Sequence, residues 1–254
     1  MATYKKRGHK PQTKEEKQSA IEKESTTAEV FNTLDEKASK TEEWVAKNQK
    51  YIYIIIAVVA VAVLGWLAYN QFIQKPKETE AANEMYQAQI YFEQALSAQQ
   101  KDSLFILSLN GGMGKYGFLD IIDNYGGTDA ANNSRYYAGI AYMHLGNYKE
   151  AIIHLDKHKS KDEIVGPIAK GNIGDAFAEL NQLEDALKYY KQAASMSANE
   201  FTAPKYLLKS AIVALELGKA GDALSSLNKI KSDFPESAEA GQIDIYIGMA
   251  EAMK

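Results

Sequence analysis

Cysteine is absent from the 254 residues, and histidine is scarce, at His9, His144, His154 and His158 only. The first absence excludes disulfide frameworks, thiolate metal sites and cysteine nucleophiles together. It leaves the redox compartment open, since a cysteine-free chain is tolerated in reducing and oxidising surroundings alike. Charge is also missing, but locally: residues 51–72 carry no Asp, Glu, Lys or Arg. Residues 1–50 hold 11 Lys/Arg against 9 Asp/Glu, whereas residues 73–254 hold 18 against 24. That acidic balance argues against nucleic-acid binding, whose affinity rests on Lys and Arg neutralising phosphates.

The uncharged stretch reads YIYIIIAVVAVAVLGWLAY from Tyr51 to Tyr69. As a helix it spans about 29 Å at 1.5 Å per residue, close to the ~30 Å hydrocarbon thickness of a bilayer. It is too long for a buried strand. Tyr51 and Tyr53 stand at one end, Trp66 and Tyr69 at the other, where aromatic rings suit the two membrane interfaces. A fifty-residue leader and the lack of a small-x-small site after Gly65 exclude a cleaved signal peptide, so the segment is expected to remain as an anchor. Lys37, Lys40, Lys47 and Lys50 precede it, and only Lys75 and Lys77 follow closely. With Lys5, Lys6, Arg7 and Lys10 further upstream, this bias predicts a cytoplasmic amino terminus and a large domain across the membrane.

Three segments follow. Residues 1–50 form a charged tail: 1–25 are too polar to bury a core, and 27–48 carry a weak amphipathic pattern through Leu34, Ala38, Trp44 and Val45. Residues 51–72 form the transmembrane helix. Residues 78–254 repeat themselves. Gly139 and Tyr142, then Leu145-Gly146-Asn147-Tyr148 and Ala151, are echoed thirty-five residues later by Gly174 and Phe177, Leu180-Asn181-Gln182-Leu183 and Ala186. A third copy runs through Ala211, Ala214, Leu217-Gly218, Ala223 and Leu227 to Pro235. This period and order of small and large apolar positions is the tetratricopeptide signature. The small residues let two helices approach, and the glycines sit where a helix must stop and reverse. Residues 78–98 and the Gly-rich run 111–114 read as a degenerate first repeat with an inserted loop, and Gly241–Met253 as a closing helix. The expected fold is all-α: a single transmembrane helix followed by a tetratricopeptide-like α-solenoid of helix-turn-helix repeats.

A charged tail, one anchor and a translocated repeat domain containing GFLDIIDNYGGTDAANNSRYYAGIAY and LGNYKEAI resemble the YfgM-like family of bacterial inner-membrane proteins, in its Bacteroidota form. The resemblance implies an accessory subunit of the Sec translocon. Its implied partners are translocon subunits, exported polypeptides and periplasmic chaperones, including a membrane-anchored peptidyl-prolyl isomerase homologue. The family supplies no catalytic residues to carry over.

Chemistry-bearing motifs are sparse. His154 and His158 stand four apart and could share a helix face, but no third ligand accompanies them. Gly111-Gly112-Met113-Gly114-Lys115 lacks phosphate-loop spacing and a preceding strand, and no nucleophile motif or cofactor site stands out. The residues point away from an enzyme and toward an interaction module. First helices line the concave side of such repeats, and there the pattern places Tyr136, Ile140 and Met143, then Asp175 and Glu179, then Ile212. This lining is apolar and acidic, which disfavours a carboxylate clamp and suits an extended apolar chain or a partner helix. Tyr136 and Ile140 could instead pack on the preceding repeat. Two rivals share the layout: a structural scaffold in an envelope secretion or motility complex, and a regulator whose cytoplasmic tail is the working end.

Overall fold

The computed structural model describes residues 13–15 and 26–253, without the side chains of 26–33 and 35–37. The polar tail expected over residues 1–25 therefore lies outside the described residues, Thr13–Glu15 excepted. The chain divides into two compact units, Met1–Tyr69 and Asn70–Lys254.

In the first unit, helix α1 runs for 44 residues from Thr26 to Tyr69. One helix covers both the amphipathic stretch and the apolar span, because neither glycine nor proline interrupts the backbone ladder before Gly65. Its most apolar window has a mean hydropathy of 2.5 and no buried share. Ile55, Val61 and Leu64 are each more than half exposed, and so are Tyr51, Tyr53, Trp66 and Tyr69. Large apolar side chains bare on every face are unstable in water. The helix is long and apolar enough to cross a membrane.

The second unit opens on a π-helical turn, Asn70–Gln74, and continues in α2, Lys75–Ser97. Pro76 is the second residue of α2, just after the π-helical turn. Then come α3 (Asp102–Asn110), α4 (Phe118–Asn124), α5 (Asp129–His144), α6 (Tyr148–Lys157), α7 (Val165–Glu179), α8 (Leu183–Met196), α9 (Ala203–Glu216) and α10 (Ala220–Asp233). A 3-10 turn, Ala240–Gln242, leads into α11, Ile243–Ala252. Each helix from α2 to α11 packs on the next, and α5 also reaches back to α2 and α3. The described residues contain no strand, so the all-α expectation holds.

The three clear repeats are α5–α6, α7–α8 and α9–α10. Their turns are built alike. In the first, Gly146 N–H donates to the Met143 carbonyl (3.1 Å) and Asn147 N–H to that of Tyr142 (2.9 Å). Asn181 and Gln182 repeat this bonding to Ala178 and Phe177, as do Gly218 and Lys219 to Leu215 and Ala214. This is a Schellman closure, which requires a left-handed residue after the helix. Gly146 and Gly218 have φ of 72° and 71°, and Asn181 takes the same place at 56°.

Close approach explains two other glycines. A Cβ on Gly139 would collide with Leu155 Cγ, and one on Gly174 would lie 2.7 Å from the Tyr190 ring. Asparagines tie the loops between repeats. Asn132 exchanges two hydrogen bonds with the backbone of Lys159 (2.8 and 2.9 Å), and Asn199 donates to the Glu163 carbonyl (2.8 Å).

Buried side chains fall into two large clusters. One, around Phe92, Phe105, Phe118 and Ile121, joins α2 to α5; the other, around Tyr190, Tyr206, Leu227 and Ile230, joins α8 to α11. Between them only Leu155, Ala169 and Ile173 form a small cluster of their own. The expected degenerate first repeat is the α2–α3 hairpin followed by the short α4. The Gly-rich insertion is a tight turn, closed by paired hydrogen bonds between Gly112 and Lys115 (3.2 and 3.0 Å), with Met113 and Gly114 at positive φ. No helix begins at Lys115, as a phosphate loop would require.

Candidate binding cleft

Helices α5, α7 and α9 present successive faces to one cleft of about 490 Å³, to whose lining Tyr148 and Tyr190 also contribute. Its walls hold Ile140, Met143 and His144 from α5, Asn172, Asp175, Ala178 and Glu179 from α7, and Lys209 from α9. Each side chain is placed by the repeat geometry. Ile140 and Met143 lie three apart on one face of α5, and Asp175 and Glu179 lie four apart on α7.

The floor is a polar knot. Asp175 Oδ1 accepts from the Tyr190 hydroxyl (2.6 Å) and from the Lys209 ammonium (2.5 Å), and Lys209 also lies 5.6 Å above the Tyr190 ring. Burial first, and then the hydrogen bond to Asp175, pushes the Tyr190 hydroxyl well above the usual tyrosine range. Tyr190 is therefore a fixed donor at any physiological pH. At the rim Glu179 accepts from the Tyr148 hydroxyl (3.2 Å).

Glycine makes this floor possible. Gly174 seats the Tyr190 ring, and Gly171, one turn earlier on α7, seats Tyr206: a Cβ there would overlap the Tyr206 ring. The two rings run nearly parallel, 14° apart with centroids at 6.4 Å. Two glycines three residues apart thus strip one stripe of α7 bare, and two tyrosines from the next helices lie along it.

Four of the six residues expected to line a groove, Ile140, Met143, Asp175 and Glu179, meet in this cleft. Tyr136 does not. Its half-buried ring packs with Leu155, Ala169 and Ile173 and sits 5.4 Å from the His158 ring, holding α5 to the following helices. Ile212 stands on the exposed side of α9, 38% exposed, away from the cleft walls. Lys209 and Tyr190 were missed by the sequence reading. Lys209 is three residues before Ile212, and only the crossing of α9 over α7 decides which of the two faces Asp175. The cleft does contain a cation, but Asp175 neutralises it, so it offers no free ammonium to a terminal carboxylate.

The histidine pair separates. α6 ends at Lys157, and His158 continues in extended backbone (φ −71°, ψ 132°), so the two rings do not share a helix face. His154 stacks on Tyr142 at 5.4 Å, while His158 Nδ1–H donates to the Asn132 carbonyl (2.9 Å). Among the described residues no three His, Asp or Glu side chains come together as a metal site.

Residues 205–237, spanning α9, α10 and Pro235, match the tetratricopeptide repeat family. Comparison with curated proteins finds no match. Helix pairs of this kind stack into binding surfaces for other proteins. The chain therefore contains a tetratricopeptide repeat, a protein–protein interaction module, and α5–α6 and α7–α8 repeat the same turn closure beside it.

Proposed function

We propose that this chain is a single-pass inner-membrane protein with a cytoplasmic amino terminus and a periplasmic repeat domain. In this reading residues 1–50 are the cytoplasmic tail, 51–72 the anchor and 78–254 the periplasmic domain. The domain serves as an accessory subunit of the Sec machinery, offering the α5–α7–α9 cleft to an extended segment of an exported polypeptide. Translocon subunits and a periplasmic chaperone or peptidyl-prolyl isomerase homologue are its neighbours. The observation that carries the reading is the cleft itself. Ile140, Met143 and Ala178 offer apolar contact, Asn172 and the free lone pairs of Asp175 and Glu179 can accept backbone N–H groups, and no free cation selects a carboxylate.

The test is photo-cross-linking in intact cells from position 143, with position 198 on the α8–α9 loop as a control. Adducts from 143 to exported chains, translocon subunits or periplasmic chaperones, absent from 198, are the expected outcome. Adducts only to a fixed secretion or motility subunit would convert the reading to a structural scaffold. Adducts confined to cytoplasmic proteins would overturn the topology.

A further inference from the structure

Hydrogen bonds fix which end of the second unit lies beside the uncharged segment. Gln74 donates to the Gly127 carbonyl and Lys77 to that of Gly126, 3.1 Å each. Gln74 stands two residues beyond Phe72, where the uncharged segment ends. Two residues span at most about 7 Å, so the turn before α5 is held close to that point whatever the angle between the two units. The chain returns to the same place after α6. Asn132, in the first turn of α5, exchanges two hydrogen bonds with the backbone of Lys159, two residues past the end of α6.

Positive charge collects there. A pocket of about 560 Å³ is lined by Gly127 and Asn132, by the cations Arg135, Lys157 and Lys159, and by one carboxylate, Asp129. Among the described residues none of the three cations is in an ion pair; Arg135 reaches only the Ala131 carbonyl, at 3.4 Å. Neighbouring carboxylates are engaged elsewhere. Glu78 accepts from the Asp129 and Ala130 N–H groups (2.7 and 2.9 Å), Asp162 from those of Ile164 and Val165 (2.8 Å each), and Asp156 pairs with Lys170 (2.8 Å). Because Glu78 already occupies the first N–H groups of α5, the cationic side chains and not the helix end are what an incoming anion meets. Unpaired cations gathered in an otherwise acidic domain select an anion.

The tether decides which anion. Lipid phosphates stand at high local density where the anchor leaves the bilayer, and side chains held beside that point meet them without a diffusional search. We infer that this pocket binds the phosphate of an anionic phospholipid, with the Arg135 guanidinium donating to its oxygens and Lys157 and Lys159 supplying charge. Bound lipid would hold the start of α5 and the α6–α7 loop against the membrane surface. The inference rests on residues 51–72 crossing a bilayer, as proposed above, and not on the partners proposed there.

Lysine footprinting of the full chain in nanodiscs tests it. N-hydroxysuccinimidyl acetate acetylates free amines, and mass spectrometry reads each position. Replacing phosphatidylcholine discs by discs rich in phosphatidylglycerol should slow acetylation of Lys157 and Lys159 by roughly fivefold or more. Lys188 and Lys229, exposed on α8 and α10, should keep their rates. Added salt should weaken the protection. Arg135→Gln should remove most of it, and Arg135→Lys, which keeps the charge without the planar fork, should remove less. Equal protection at 188 and 229, or protection indifferent to Arg135→Gln, would mean a diffuse surface potential and no site. Protection in phosphatidylcholine discs on adding glycerol phosphate would mean a pocket for soluble phosphate esters. Either result overturns the inference. Unprotected Lys157 and Lys159 in phosphatidylglycerol discs would overturn it alone and leave the anchor standing, whereas a chain that fails to float with vesicles would overturn the anchor reading and this inference with it. Should Arg135→Gln lose its helical circular dichroism, the contrast between 157/159 and 188/229 in the unaltered chain still decides.

Discussion

At the residue scale, the domain is most sensitive where a side chain is absent. Gly171→Ala places a methyl group inside the Tyr206 ring, and no rotation of that fully buried tyrosine opens room for it. Overpacking of this kind typically costs about 1–3 kcal/mol, and a drop in thermal midpoint against unchanged Gly221→Ala, where nothing lies within 4 Å, measures it. Asn181 is the converse case. It holds a left-handed backbone that glycine adopts freely, so Asn181→Gly should leave stability equal or raised, and Asn181→Val should lose about 1–2 kcal/mol in denaturant titration. His154 gives a pH dependence. Burial against Tyr142 lowers its affinity for a proton below the ordinary histidine value, with Lys157 and Arg135 adding to the effect and Glu150 opposing it. A depressed folded value means that the unfolded chain binds the proton more tightly. Its contribution is thus complete above the unfolded value of about 6.5 and is lost as pH falls below it. The thermal midpoint should decline from pH 7 to pH 5, and His154→Gln should flatten that decline. The repeat glycines 139 and 174 and both turn glycines were legible in the sequence, because each recurs at the same phase of a visible period. Gly171 and Lys209 were not. Their partners Tyr206 and Asp175 lie 35 and 34 residues away, and one-dimensional periodicity does not say which face of α9 meets α7.

At the element scale, the start of α2 is fastened to the start of α5. The Glu78 carboxylate accepts from Asp129 N–H (2.7 Å) and Ala130 N–H (2.9 Å), while Gln74 and Lys77 donate to the carbonyls of Gly127 and Gly126 (3.1 Å each). An anion on the first N–H groups of a helix is favoured by the helix dipole as well as by the bonds themselves. Glu78→Ala should therefore cost about 1 kcal/mol, and amide exchange should accelerate first at residues 126–131. Unchanged exchange there would mean that Thr128, whose hydroxyl accepts from Ala131 N–H at 3.0 Å, holds the turn by itself. None of this clasp is written locally, since its two halves are some fifty residues apart. The weak amphipathic stretch runs into the apolar span as one helix, because a change of hydrophobic pattern ends a helix only where a residue also breaks the backbone ladder. The long apolar run was legible because uncharged length alone announces it. The closing helix was legible too.

At the scale of the whole domain, stability in a stack of helix pairs is a sum of nearest-neighbour terms and need not be shared evenly. The Phe92–Phe105–Phe118 cluster ends with α5, and the Tyr206 cluster begins with α8. The α6–α7 step between them rests on Leu155, Ala169 and Ile173, with Tyr136, Ile152 and Tyr189 half-buried around them. That step also carries part of the candidate cleft, on its Asp175 and Glu179 wall. A thin core is where local opening should be cheapest, because few apolar contacts are lost on opening. Amides of α6 and the first turns of α7 should then exchange at a lower free energy than those of α9, while α3 and α9 keep protection close to the global value. Ile173→Ala should widen the gap. Truncating a fully buried isoleucine typically costs about 2–5 kcal/mol, and here the loss falls on the junction, so the denaturant transition should broaden or split before either cluster melts. Equal protection across α6, α7 and α9, with a single sharp transition in Ile173→Ala, would show that the two clusters unfold as one unit and that the junction transmits stability despite its size.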